Sequence, residues 1–328
     1  MSADAGMYSS ACIDECMRVF TWGAGGSGQL GHGEEHDEWI PRLVKGLSGK
    51  RIVQVSMGDR HSAAICADGG VYTWGCGESG QLGDGSSESR SVPVLLDANS
   101  IGGEVAIVSC GYTMTAVLRF DGRVCVWGSS DYGALGLGSD MSTLVPRVLS
   151  GGKLPSGCNV LDKRFFVSLC VGEEHAAAVT VNGSLYAWGQ GCFGAVGKPP
   201  PRKKMHPPDV LKPRRVILPA GVKAQSVHCG ANLTAVLCVD GSVLAMGDDS
   251  TELRDVGAGL RAIAVRCGRF HTSLLVDPSD APDVGREGVF SWVSSAFSEG
   301  YAWLFGTEKA GVLRTAKYHG VRQGATIS

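Results

Sequence analysis

Six times along the chain a glycine is followed by a short apolar run, a polar turn and a second apolar run that ends at or near Trp-Gly. One and the same interval separates Gly6 from Trp22, Gly58 from Trp74, Gly111 from Trp127, Gly172 from Trp188 and Gly230 from Met246. The marker glycines Gly6, Gly58, Gly111, Gly172, Gly230 and Gly268 follow one another at similar distances, with only the last interval shortened. A period of roughly 50 residues belongs to stacked supersecondary units, each too small to bury its own apolar face. The 328 residues therefore read as one array, a single domain over 1–328.

The second copy shows the unit. Residues 52–56 alternate as a strand, 58–61 turn, and 62–66 return with small side chains. Asp68-Gly69 supplies a hairpin turn before Val71-Tyr72-Thr73-Trp74-Gly75. A glycine-rich loop follows, then a segment led by Pro93, and the interval from Trp74 to Pro93 recurs unchanged from Trp22 to Pro41 and from Trp127 to Pro146. Proline lacks an amide donor and suits an edge, so this segment is predicted to be the outermost strand. Four antiparallel strands per copy, repeated radially, make an all-β fold, a β-propeller. Trp22, Trp74, Trp127 and Trp188 are expected between neighbouring blades.

These residues carry a family resemblance. Gly58 to Ser62 and Gly268 to Thr272 read Gly-x-x-His-Ser/Thr, and Trp22 to Gly31 and Trp74 to Gly83 read Trp-Gly-x-Gly-x-x-Gly-Gln-Leu-Gly. With Asp-Gly-x-Val before the Trp-Gly strand, the pattern resembles the regulator of chromosome condensation repeat over nearly the whole chain. That family implies a propeller, usually of seven blades; the copies here give six, with seven the alternative. The first copy lacks an inner strand, while residues 325–328 resemble 53–56. The C-terminal strand is therefore expected to pair with residues 9–13 and close the ring.

Composition narrows the function. A formal net charge of −2 gives no reason to expect nucleic acid or an anionic membrane as partner, and no run approaches the roughly 20 apolar residues of a membrane span. With no basic and apolar blocks at residues 1–7, the protein is expected to be soluble, intracellular and monomeric, cytoplasmic with the nucleus as the alternative. Cys110, Cys229 and Cys267 precede marker glycines where Met57 and Val171 stand in other copies. That interchange predicts small buried apolar side chains rather than disulfides.

No zincin, nucleophile-elbow or metal-spaced Cys/His motif is present, and the loop glycines lack the Gly-Lys-Ser/Thr ending of a phosphate loop. No cofactor is expected, and the chain reads as a non-enzymatic scaffold for protein partners. The resemblance implies an alternative. Family members with exchange activity act on the small GTPase Ran through acidic and histidine residues of the Gly-x-x-His turns. Carried onto this sequence, those positions are Asp59, His61, Glu174, His175 and His271. The third turn, Gly111-Tyr112-Thr113-Met114, has neither residue type. Recurrence of the histidines at one repeat position also predicts a structural hydrogen bond at each.

One stretch stands apart. The interval from Trp188 to Pro213 is longer than its counterpart from Trp74 to Pro93, and the enlarged segment carries Arg202, Lys203, Lys204, Lys212, Arg214 and Arg215 among prolines. A stiff cationic loop of this kind suits docking onto an acidic protein surface.

Overall fold

In the first five repeats the first three strands are joined by turns too short for any but antiparallel pairing, and the fourth returns antiparallel along the third to form the outer edge. The computed structural model describes residues 2–149, 165–201, 206–257, 259–268, 272–276, 289–295, 301–308 and 312–314. The second blade consists of Ile52–Met57, His61–Cys66, Val71–Gly75 and Arg90–Leu95, in that spatial order. Among the described residues six such sheets form, five of four strands and a sixth of five. One residue from the inner strand of every sheet, Asp4, Ser56, Cys110, Cys170, His228 and Arg266, lines a common cavity of about 400 Å³. The sheets therefore surround one axis, and six blades fit the repeat count.

The proline-led segments are outermost strands, as in Glu38–Leu43, Thr143–Val148 and Val210–Val216. One strand expectation needs correction. The inner strand of the first blade is Ser2–Ala5, which pairs with Ser9–Ile13, so the place expected for the C-terminal strand is filled from the N-terminus. The other edge of Ser9–Ile13 is taken by Val19–Gly23. Residues 325–328 themselves lie outside the described residues. In the fifth blade the outer strand is Ser250–Asp255, because a tight turn at Asp248-Asp249 returns the chain at once beside its partner strand Val243–Gly247.

Adjacent inner strands do not pair backbone to backbone; side chains of one blade satisfy the exposed edge of the next. The residue two before the marker glycine does this in the first four blades. Asp4 Oδ2 accepts from Met57 N at 2.7 Å, Ser56 Oγ from Cys110 N at 3.1 Å and Ser109 Oγ from Val171 N at 3.0 Å. Gln54 pairs both its amide groups with the backbone of Val108 at 2.9 and 3.0 Å. Open edges that would template aggregation are thereby consumed. The marker glycines crowd the same axis. A Cβ on Gly58 would lie 2.5 Å from the carbonyl oxygen of Gly111, and one on Gly111 would lie 2.5 Å from that of Gly172.

The tryptophans fasten blade to blade. Trp74 Nε1 donates to the carbonyl of Gln29 in the preceding loop at 2.8 Å, Trp127 to Gln81 at 2.9 Å and Trp188 to Ala134 at 3.0 Å. All three are fully buried. The closing glycine of each loop has to be glycine for two reasons, shown at Gly83: φ is +74°, and a Cβ would stand 2.6 Å from Trp127 Nε1. Trp22 departs from the expectation, being only half-buried, since no preceding blade among the described residues supplies its loop. The cysteines behave as small buried groups in part: the described ones are thiols, with Cys110 and Cys229 buried and Cys267 half-buried.

Replacing Trp74, Trp127 or Trp188 by alanine removes a large core group and leaves a loop carbonyl short of a donor. Each should cost about 3–5 kcal/mol in urea unfolding, and Trp22→Ala should cost less than half as much. Equal losses at all four positions would refute the blade-locking assignment.

Candidate functional site

Each blade gathers its chemically distinctive side chains at one end. The first loop residue after the Trp strand hydrogen-bonds to that blade's own turn, as in Cys76 N to Arg60 O, Ser129 N to Thr113 O and Gln190 N to Glu174 O. Turns and loops therefore share a rim, and the sequence-predicted residues can be sorted by whether they reach its surface.

The histidines do not. His61 is fully buried, with Nε2 2.8 Å from Thr115 Oγ1 of the next blade, and that hydroxyl donates to Gln81 O at 2.8 Å. Because the threonine proton is committed to the carbonyl, His61 Nε2 must be the donor. His175 repeats the arrangement with Thr234 at 3.0 Å, and Thr234 donates to Ala195 O at 2.8 Å. Burial lowers both imidazoles to about 4, so they are neutral at pH 7. Where the third blade has Met114 instead, its neighbour carries Ala176 in place of the hydroxyl, so donor and acceptor are absent together. His271 lies outside the described residues.

The carboxylates do reach the rim. Asp59 is half-exposed, with its backbone N–H on Gly111 O at 3.2 Å. Glu174 sits among acids. Burial, then the charges of Asp131, Glu173 and Asp209, raise its carboxyl to about 7. Its Oε2 is buried with no hydrogen-bond partner. Asp131 is fixed by Ser129 Oγ at 2.7 Å, and Asp209 by the N–H of Gly191 at 2.9 Å. Exposed Tyr112, Tyr132 and Phe193 flank this group on the turns and loops of the same two blades. Tyr132 holds φ +56°, a left-handed conformation that a non-glycine residue adopts at a cost.

The sequence pattern pointed to Glu174 and not to the acids around it. The signal that would have found the cluster is positional: residues after marker glycines and after Trp-Gly meet at one end, so Glu173, Glu174 and Asp131 are neighbours in space. Asp209 carried no signal, because the whole enlarged loop separates it from Gly191, the loop glycine whose amide it accepts.

The basic stretch is elsewhere. Lys212, Arg214 and Arg215 lie on the outer strand Val210–Val216 of the fourth blade. Arg214 Nη1 donates to Gly197 O at 3.1 Å, while Lys212 and Arg215 have no carboxylate partner among the described residues. Arg202, Lys203 and Lys204 lie outside the described residues. Among those described, no group of three His, Cys, Asp or Glu side chains is placed to hold a metal ion, and no helix is long and apolar enough to cross a membrane.

Comparison with known proteins gives one family. The RCC1-like domain pattern matches residues 18–277. The chain is 34% identical over 229 residues to the E3 ubiquitin-protein ligase HERC2 of Homo sapiens, an alignment that takes in 69% of this chain and 4% of that protein. It is 33% identical over 244 residues to the ultraviolet-B receptor UVR8 of Arabidopsis thaliana, covering 74% of this chain and 52% of the receptor. The chain thus spans a small part of the first relative and about half of the second. Among solved structures, human WBSCR16 superposes with a TM-score of 0.73 at 21% identity, covering 90% of this chain and 75% of that one. Prp20p from Saccharomyces cerevisiae superposes with a TM-score of 0.70 at 20% identity, covering 89% and 71%.

Two outcomes follow from the geometry. Thr115→Ala alone strands the buried His61 Nε2 donor and should cost about 1–3 kcal/mol. The double variant His61→Met with Thr115→Ala copies the Met114–Ala176 junction and should cost clearly less than the sum of the single variants in urea unfolding; strict additivity would remove the proposed brace. For Glu174 the raised carboxyl makes the folded state bind the proton more tightly than the unfolded one. Its contribution is therefore fully present below the ordinary glutamate range and is lost as pH rises through about 7. Glu174→Gln should flatten the fall in melting temperature between pH 5 and pH 8; an unchanged slope would show that the carboxyl is not under this strain.

Proposed function

Since the chain belongs to the RCC1-like domain family, we propose that it serves as a non-enzymatic protein-binding platform, docking a cationic partner segment on the rim of its third and fourth blades. The observation that carries this reading is the Glu174 group. Four carboxyls from two blades converge, and burial together with their mutual repulsion lifts Glu174 to about 7. A lysine or arginine from a partner would relieve that repulsion, while Tyr112, Tyr132 and Phe193 offer rigid surface at low entropic cost. The ring beneath is stiff, so little is lost in ordering the site.

A second reading is exchange activity on a Ran-like GTPase. It is favoured by Asp59 and Glu174 reaching the rim and by the likeness in fold to Prp20p, described with binding properties to Gsp1p and histones. It is disfavoured by His61 and His175 being occupied between blades. The basic outer strand remains a separate docking candidate for an acidic partner, through Lys212 and Arg215 together with Arg202, Lys203 and Lys204.

One experiment separates these readings. Partners are isolated at native salt with the wild type, with Glu173→Lys plus Glu174→Lys, and with Lys212→Glu plus Arg215→Glu; nucleotide release from a Ran-type GTPase is measured with each. The rim reading expects loss of the partner set only in the acidic reversal, strongly salt-dependent, with nucleotide release unchanged throughout. Retention of the full set by that variant overturns it, and acceleration of release by the wild type promotes the exchange reading.

A further inference from the structure

Around the axis, the residue two before the marker glycine accepts from the inner strand of the next blade in the first four blades, and in the first three the accepting atom is oxygen: Asp4, Ser56 and Ser109. In the fourth blade that acceptor is sulfur. Cys229 N donates to Cys170 Sγ at 3.1 Å, and Cys229 Sγ in return lies 3.5 Å from Cys170 O. Two cysteines on different blades are thus in direct contact, and both line the axial cavity of about 400 Å³. A cavity of that size admits a small polar oxidant. Cys170 is half-buried rather than sealed.

We propose that Cys170 and Cys229 form a peroxide-reactive dithiol that closes to a disulfide and clamps the fourth blade to the fifth. The acceptor position favours the charged sulfur at Cys170. The hydrogen bond from the Cys229 thiol, with that from its backbone N–H and from Ser109, holds Cys170 below the ordinary thiol range despite burial. Burial pushes Cys229 well up, and pushes Cys267 up to about 12, so neither is the group that attacks peroxide.

The chemistry balances with hydrogen peroxide as the oxidant. The Cys170 thiolate attacks one peroxide oxygen, the O–O bond breaks, and the departing hydroxide takes a proton to leave as water, giving Cys170 sulfenic acid. The Cys229 thiol then gives up its proton as its sulfur attacks Cys170 Sγ, the S–O bond breaks, and a second water leaves. Two thiols supply two electrons; the products are one disulfide and two waters.

The test is peptide mapping of the wild-type protein after peroxide treatment and alkylation of remaining thiols. Expected is a linked peptide in which fragmentation joins Cys170 to Cys229, formed at least about tenfold faster than oxidation of the exposed Cys16. Cys229→Ser should leave Cys170 as a sulfenic acid trapped by a dimedone probe, and Cys170→Ser should leave Cys229 alkylatable. The proposal is overturned if wild-type Cys170 remains alkylatable after peroxide, if it is joined to a different sulfur, or if Cys16 reacts as fast. The wild-type mapping decides the matter even where a serine variant fails to fold.

Discussion

A main-chain carbonyl in each glycine-rich loop holds the array together, and the other features are arranged around keeping it in place. At Gln29 and Gln81 this oxygen receives both the indole N–H and the Ser62 or Thr115 hydroxyl of the next blade. At Ala134 it receives the indole alone, and at Ala195 the Thr234 hydroxyl alone, because Ala176 and Met246 stand at the other positions. The oxygen is buried between two sheets, where an unfilled acceptor is costly. Loop shape, the αL glycine at its end, the buried Leu30 or Leu82 beneath it and the indole opposite are therefore mutually dependent.

That dependence explains where variation is tolerated. The axis is occupied by glycines whose Cβ positions are already filled by the neighbouring carbonyl, and by short polar side chains tied to the next strand. The buried strands are small, as in Ala176, Ala177 and Ala178. The rim residues after the marker glycine are tied to neighbouring turns through their main chain, as Asp59 N to Gly111 O and Tyr112 N to Glu173 O, but their side chains differ from blade to blade. Asp59-Arg60, Tyr112-Thr113, Glu173-Glu174 and Ala231-Asn232 share a position and a main-chain role, with unrelated side chains. A ring built on main-chain contacts thus leaves its rim chemically free, which is the physical condition for a recognition surface.

Charge then differentiates the rim. The third and fourth blades bring Asp131, Glu173, Glu174 and Asp209 within range of one another, whereas Arg60 on the second blade approaches Glu78 at 3.9 Å. The same fourth blade carries Lys212 and Arg215 on its outer strand, so it is acidic at its end and basic along its edge. The histidines that sequence position assigned to the rim are withdrawn from it by their bonds to Thr115 and Thr234.

The sequence alone determined the repeat unit, the strand order within it, the outer placement of the proline-led strands and the count of six, because each rests on local rules: alternation, turn chemistry and the missing proline amide. Contacts between copies were legible only where the same residue types recur, as with Trp74, Trp127 and Trp188. Tertiary structure alone decided the rest. The origin of the first inner strand depended on which segment, 2–5 or 325–328, reaches the edge of Ser9–Ile13, a question of closure that periodicity does not address. The fate of His61 and His175 depended on a hydroxyl one repeat away, and the raised carboxyl of Glu174 on acids from two blades. Burial and electrostatic coupling are properties of the assembled ring, so residues distant in sequence set them.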